Sequence, residues 1–255
     1  MKFGFIGTGK IASSVISGIC KSSIKYEKIF VSSRNRLIAK NLKKKFKKIV
    51  IEKDNQKIIN NSSWVFLAVT PNVGEKIIKN LKFKSNQTIV SFISTITLMK
   101  LKKMIKVRSK IIRAIPLPPI SHKKGPVPIY PPNKKVKNFF DKIGTTIEIN
   151  NEELSNNFWS ISGMMASYYE ILNVISNWLV KKGIKRQDAQ RYITSLFLAL
   201  SEDAAFNSKK ELKFLVKDSQ TPKGLNEQGL KEMSQRGVYK SVVNTLDSIH
   251  KRLNK

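Results

Sequence analysis

Lys2-Phe3-Gly4-Phe5-Ile6-Gly7-Thr8-Gly9-Lys10-Ile11-Ala12 decides how the rest of the chain is read. A short apolar run ends in a glycine turn and passes directly into the helical pattern Ile11–Cys20, so the segment describes a strand feeding a helix. In that setting Gly-x-Gly-x-x-Ala has a physical meaning. Gly7 permits the tight turn, Gly9 lets backbone approach a pyrophosphate, and Ala12 takes the small position where helix packs on strand. The helix start then aims its N–H groups and positive dipole end at phosphate. Gly7, Thr8, Gly9, Lys10 and Ile11 are therefore expected to hold a dinucleotide, with a purely structural glycine turn as the alternative.

The end of the next apolar run bears on which dinucleotide. A site for NAD would place Asp or Glu there, about 20 residues on, to accept from the ribose 2′-hydroxyl. This chain has Ser32-Ser33-Arg34-Asn35-Arg36 instead. No carboxylate repels a 2′-phosphate, and Ser33, Arg34 and Asn35 can bind one, so NADP(H) is expected over NAD(H). Solvated loop cations are the alternative for Arg34 and Arg36.

Outward from these motifs, apolar runs alternate with amphipathic stretches up to about residue 150. Lys2–Ile6, Lys28–Val31, Ile49–Ile51, Trp64–Val69, Thr88–Ile93, Ile111–Ile115, Val127–Tyr130 and Thr146–Ile149 read as strands, several of them apolar on consecutive residues as covered parallel strands are. Ile11–Cys20 and Leu37–Phe46 read as helices between them, and the alternation predicts a doubly wound α/β sheet. From Glu152 onward only helical periodicity is left: Phe158–Val180, Gln187–Phe206, Glu227–Met233 and Val238–Leu253. Gly183 marks a helix end, and Asp218–Gly224 reads as a turn leading into a helix. Helices this apolar are expected to bury themselves against a partner chain.

Composition narrows the partners. The chain has 255 residues, 48 Lys+Arg against 17 Asp+Glu, and a formal net charge of +31. Eight of the cations are Arg (34, 36, 108, 113, 186, 191, 236 and 252), whereas designed phosphate readers lean on arginine's planar fork. A nucleic-acid partner is thus not expected; Lys40–Lys48, its best support, is more simply a solvated helix face. Cys20 alone allows no internal disulfide, and with only His122 and His250 no metal site is expected. No apolar run reaches the ~18–20 residues of a membrane span, and Met1–Ile6 breaks at once into Gly-Thr-Gly, unlike a secretory signal. A cytoplasmic protein is the expectation.

These residues resemble the pyrroline-5-carboxylate reductase family over nearly the whole chain. Phe5–Ala12 is similar to the family's opening segment, and Asp54-Asn55 with Val65–Asn72 to its second cofactor segment. The resemblance implies that Asn55 and the backbone of Ala68, Val69, Thr70 and Pro71 lie along the adenosine and ribose side of NADP(H). Val90–Ile96 and Arg113–Pro116 match strands that border the nicotinamide. Ile161–Tyr168, with Ser162 and Gly163, corresponds to Leu-Ser-Gly-Ser-Gly-Pro-Ala-Tyr, and Thr221–Asn226 to Ser-Pro-Gly-Gly-Thr-Thr. The implied architecture is an NADP-binding Rossmann-type domain over residues 1–150. A helical dimerisation and substrate domain follows over 151–255, with the active site between one subunit's cofactor domain and helices of the dimer.

Departures cluster on the substrate side. Pro-Asn after the sixth strand becomes Pro116-Leu117-Pro118-Pro119, Ser-Gly-Pro becomes Met164-Met165-Ala166, and the paired threonines become Leu225-Asn226. The expected function is reduction of a small anionic imine by NADPH, with Gly224, Leu225, Asn226, Ser162 and Gly163 binding substrate. The loop before Glu227 would turn backbone N–H groups into an anion site. Asn226 would act catalytically through its amide, with a plain helix cap as the alternative. Tyr168 or Tyr169 as proton donor competes with packing, and His122 with an exposed loop residue. A related imine or ketone reductase, or a catalytically silent homologue, is the alternative for the whole chain, acting as a homodimer or larger homo-oligomer.

Overall fold

The computed structural model describes residues 1–253. The chain divides into two compact units, Met1–Trp159 and a second that begins at Ser160. The first holds eight strands: β1 (Lys2–Ile6), β2 (Lys28–Ser32), β3 (Ile49–Glu52), β4 (Trp64–Leu67), β5 (Thr88–Ser91), β6 (Lys110–Ala114), β7 (Pro126–Tyr130) and β8 (Thr145–Glu148). Its helices are α1 (Lys10–Cys20), α2 (Arg36–Lys45), α3 (Asn55–Asn60), α4 (Pro71–Ile78), α5 (Leu98–Ile105) and α6 (Lys134–Phe140). The sheet order β3-β2-β1-β4-β5-β6-β7-β8 reverses direction between β1 and β4. That reversal is the switch point of a Rossmann-type, doubly wound sheet, and it opens a crevice at the strands' carboxyl ends.

Strict alternation explains why both faces are covered. On β1, Phe3 and Phe5 enter one core layer while Ile6 enters the other; on β4, Trp64 and Phe66 oppose Val65 and Leu67 in the same way. The first layer is aromatic, with Phe5 stacked on Phe66 at 4.4 Å between centroids and Phe139 4.9 Å from Trp64. All eight sequence-predicted strands are present, but β7 pairs antiparallel to β6. The short connection between Ala114 and Pro126 holds only a 3₁₀ turn, Pro118–His122, and a parallel crossover needs a longer path. On α2 only Ala39 and Leu42 are buried, and Lys43, Lys44 and Lys45 sit in its last turn, where cations complement the helix dipole.

α7 (Ser155–Ser162) leads into the second unit, which holds α8 (Met165–Lys181), α9 (Arg186–Phe206), α10 (Lys213–Asp218), α11 (Leu225–Gln235) and α12 (Val238–Leu253). The expected single helix Phe158–Val180 is broken: Gly163 and Met164 donate to the carbonyls of Ser160 and Ile161 in a tight turn before α8 starts. A Cβ at Gly163 would lie 2.9 Å from Ile249 Cδ1, so the break brings backbone close to α12. The short helix α10 carries no buried residue and was not legible as a separate element. Tyr168 packs edge-on against Phe197 at 6.3 Å, but Tyr169, Val174, Trp178, Tyr192, Leu198 and Leu200 are each more than half exposed. Within one chain these helices leave their apolar stripes uncovered.

Candidate functional site

β1 delivers Gly7 to the switch point, where its φ is +97° and a Cβ would sit 2.4 Å from the Ala68 carbonyl oxygen. Only glycine fits there. Gly9 is different. As the N-cap of α1 it has φ −88° and ψ −169°, open to any residue, and a Cβ would meet no atom within 4 Å. Nothing among the described residues accounts for this second glycine.

The loop is held from below by Ser32, the last residue of β2, which is 5% exposed. Gly7 N–H donates to Ser32 Oγ (3.1 Å), and Thr8 Oγ1 donates to the Ser32 carbonyl (2.7 Å). Thr8 is thus turned inward, its hydroxyl engaged by β2 rather than facing the crevice. Ser32 is the residue that sequence reasoning left out, although its position at the strand's end, facing the glycine turn, was the available signal.

Above the loop lies a cleft of about 380 Å³ lined by Gly7, Thr8, Gly9, Arg34, Asn35, Arg36, Ala68, Val69 and Thr70. Arg34 and Arg36 are exposed, and no acidic residue is among those lining residues. Asn35 caps α2, its Oδ1 accepting from Ile38 N–H at 3.2 Å, which leaves its NH₂ for other partners. Thr70 is the N-cap of α4 and Pro71 its first residue, so the far wall is also a helix start. Ser33, Lys10, Ile11, Asn55 and Pro71 do not line the cleft. Asn55 opens α3, which Asp54 caps by accepting from Gln56 N–H at 2.8 Å.

The substrate-side candidates lie in the second unit. Ser162 ends α7 and Gly163 forms the break described above. α11 begins at Leu225, two residues earlier than expected, because Gly224 takes the N-cap position. Asn226 is therefore inside the first turn, and the capping role weighed for it is corrected. Its Nδ2 instead donates to the Ser219 carbonyl at 2.8 Å, tying down the loop. The expectation of freely presented loop amides is also revised. Gly224 N–H goes to the Thr221 carbonyl (2.7 Å), and Lys223 N–H goes to the Glu227 carboxylate. Lys223 adopts φ +62°, the left-handed region that favours glycine, at the position where the resembled family has one. The first-turn amides of Leu225 and Asn226 are the donors a helix start leaves over. Leu225 is 86% exposed. His122 is exposed at the end of the 3₁₀ turn.

Comparison with known proteins agrees with this geometry. Residues 2–95 match the family model described as NADP oxidoreductase coenzyme F420-dependent. Residues 152–255 match pyrroline-5-carboxylate reductase dimerisation. The pyrroline-5-carboxylate reductase of Methanosarcina acetivorans is 23% identical over 96% of this chain and 94% of its own length. Pyrroline-5-carboxylate reductase 3 of Xenopus laevis is 24% identical over 96% and 92%. Among solved structures, the Streptococcus pyogenes enzyme superposes with a TM-score of 0.82 at 23% identity, covering 99% of this chain and 98% of that one. The Plasmodium falciparum enzyme, solved with NADP bound, superposes with a TM-score of 0.84 at 21% identity over 99% and 97%. Fold and site define a Rossmann-type dinucleotide oxidoreductase whose second part is a helical dimerisation module. The two family matches and the full-length likeness place it further: the chain belongs to the pyrroline-5-carboxylate reductase family. No helix among the described residues is long and apolar enough to cross a membrane.

Proposed function

We propose that the chain is an NADPH-dependent reductase of a small anionic imine, with 1-pyrroline-5-carboxylate as substrate and an L-proline-type amine as product. The contrast between the two loop glycines carries this reading. Ala68 explains Gly7, whereas Gly9 is explained by a ligand backbone-close to the loop, under a cleft that carries two arginines and no acid. NADPH, when bound, supplies the hydride.

The chain supplies binding and placement. Thr8 and Gly9, with the first turn of α1 at Lys10 and Ile11, would hold the pyrophosphate through backbone N–H groups, and Gly7, whose own N–H goes to Ser32 Oγ, would set the turn that lets it approach. Arg34, with Ser33, Asn35 and Arg36, would bind the 2′-phosphate, and Asn55 with Ala68–Pro71 the adenosine and ribose side. In the second unit, Ser162, Gly163, Gly224, Leu225 and Asn226 would bind the substrate's carboxylate and imine. The amide N–H that Asn226 does not spend on Ser219 would orient the reacting nitrogen. Residues 1–150 then act as the NADPH domain and 151–255 as the substrate and dimerisation domain, in a cytoplasmic homodimer or larger homo-oligomer.

Loss of NADPH absorbance with 1-pyrroline-5-carboxylate, repeated with NADH, tests the proposal. Turnover with a preference for NADPH is expected; a preference for NADH would overturn the cofactor assignment, and absence of turnover the substrate. A different imine or a ketone is the second reading. It is favoured by Met164, Met165 and the 86% exposed Leu225, apolar bulk at the substrate-side positions. A panel of cyclic imines and oxo acids separates the two.

A further inference from the structure

A buried polar cluster outside both candidate sites centres on an arginine. Arg113, on β6, is 2% exposed and is a permanent cation. Its Nη1 pairs with Glu152 Oε1, its Nη2 donates to the Ser94 carbonyl, and its guanidinium lies 4.4 Å from the centroid of the Trp159 ring. Its Nε is buried without a hydrogen-bond partner. The same Glu152 oxygen accepts the Leu98 N–H at 2.7 Å, at the first residue of α5. One ion pair therefore grips the turn after β5 at both ends, Ser94 and Leu98. An apolar side chain could fill such a site at lower desolvation cost, so the charge is explained by the geometry it imposes.

That turn stands at the carboxyl end of β5, and β5 neighbours β4, whose Ala68–Thr70 end is a wall of the cleft. A dinucleotide with its 2′-phosphate at Arg34, beyond β2, and its pyrophosphate over β1 directs its other half past β4 toward β5. We infer that Arg113 and Glu152 are positioning residues for hydride transfer: they fix the Ser94–Leu98 turn as the wall that seats the nicotinamide half of the cofactor, without touching the reacting atoms. This role rests on the NADPH reading of the cleft. Lysine cannot replace the fork, because a single ammonium does not hold a carboxylate and a carbonyl in one plane.

The test compares Arg113→Lys and Glu152→Gln with the wild type in three measurements: binding of NADPH, binding of adenosine 2′,5′-bisphosphate, which lacks the nicotinamide half, and thermal melting. In both variants the bisphosphate is expected to bind within about twofold of wild type and NADPH about tenfold more weakly. Turnover at saturating NADPH should fall by about 10²-fold, the scale of an ångström's misplacement. Equal weakening of both ligands, or no change in either, would reduce the pair to a fold contact and overturn the inference. Glu152→Gln keeps an oxygen for Leu98 N–H and carries the test if Arg113→Lys does not fold. A wild-type protein that binds neither ligand would overturn the NADPH reading and this role together, whereas normal wild-type binding with unchanged variants overturns this role alone.

Discussion

Replacing each loop glycine by alanine should separate folding from ligand binding, because the two positions differ in what a methyl group meets. At Gly9 the backbone is extended and a Cβ touches nothing within 4 Å. Loss of unfolded-state freedom favours Gly9→Ala by about 0.4–1 kcal/mol, and the poorer N-cap offsets a similar amount. Net stability should stay within about 0.5 kcal/mol, or roughly 2 °C in melting temperature. At Gly7 the positive φ costs about 1–2 kcal/mol for any other residue. The methyl also falls 2.4 Å from the Ala68 carbonyl oxygen, so the end of β4 must move. Overpacking of that kind adds about 1–3 kcal/mol. Gly7→Ala should therefore lose roughly 2–5 kcal/mol and melt about 5–15 °C lower. Binding reverses the ranking. On the proposed cofactor placement the Gly9 methyl stands where a phosphate approaches the backbone, and losing one charge-assisted contact of about 1.5–3 kcal/mol should weaken NADPH by about 10- to 10²-fold. Thermal melts and fluorescence titration with NADPH measure both quantities on the same samples. A Gly9→Ala protein with wild-type stability and wild-type NADPH affinity would refute the placement of the phosphate.

Further outcomes follow from other contacts. Under the proposed role of Arg34 at the 2′-phosphate, Arg34→Ala should weaken NADPH about tenfold or more while leaving NADH within about twofold; equal effects on the two would make Arg34 a solvated cation. Phe66→Ala, which removes a fully buried ring touching Phe3, Phe5 and Trp64, should cost about 3–5 kcal/mol by urea denaturation. Val174→Glu combined with Trp178→Glu, two exposed positions one turn apart on α8, should shift the protein toward monomer in sedimentation, and an unchanged mass would remove that face from the interface. Partial burial opposes ionisation of Asp141, but hydrogen bonds from Lys137 and Thr146 outweigh it and hold its carboxyl below the ordinary range. Its stabilising contribution is then present above pH ~4 and lost as the pH falls further, so the stability gap between wild type and Asp141→Asn should be open at pH 7 and shrink toward pH 3.

Much of this protein is legible along the chain because the signals are local. Alternation such as Phe3-Gly4-Phe5-Ile6 and Trp64-Val65-Phe66-Leu67 determined the strands. The glycine turn before Ile11 determined the strand-to-helix loop proposed to hold phosphate, and the missing acid after Val31 the expected 2′-phosphate. Each is a matter of backbone conformation or side-chain period over a few residues. Other features are set by contacts between distant segments. Ser32 holds a loop 25 residues away, and Arg113 meets Glu152 across 39 residues. Gly163 ends a helix where Ile249 approaches, and the N-terminal boundary of α11 moved Asn226 from a cap to a loop tie. The motif separates Gly7 as the turn from Gly9 as the phosphate position, but nothing local says that Ala68 is what excludes a side chain at Gly7 or that no described atom borders Gly9. The strands' order in the sheet decides that, because only the folded path brings the end of β4 beneath the first turn.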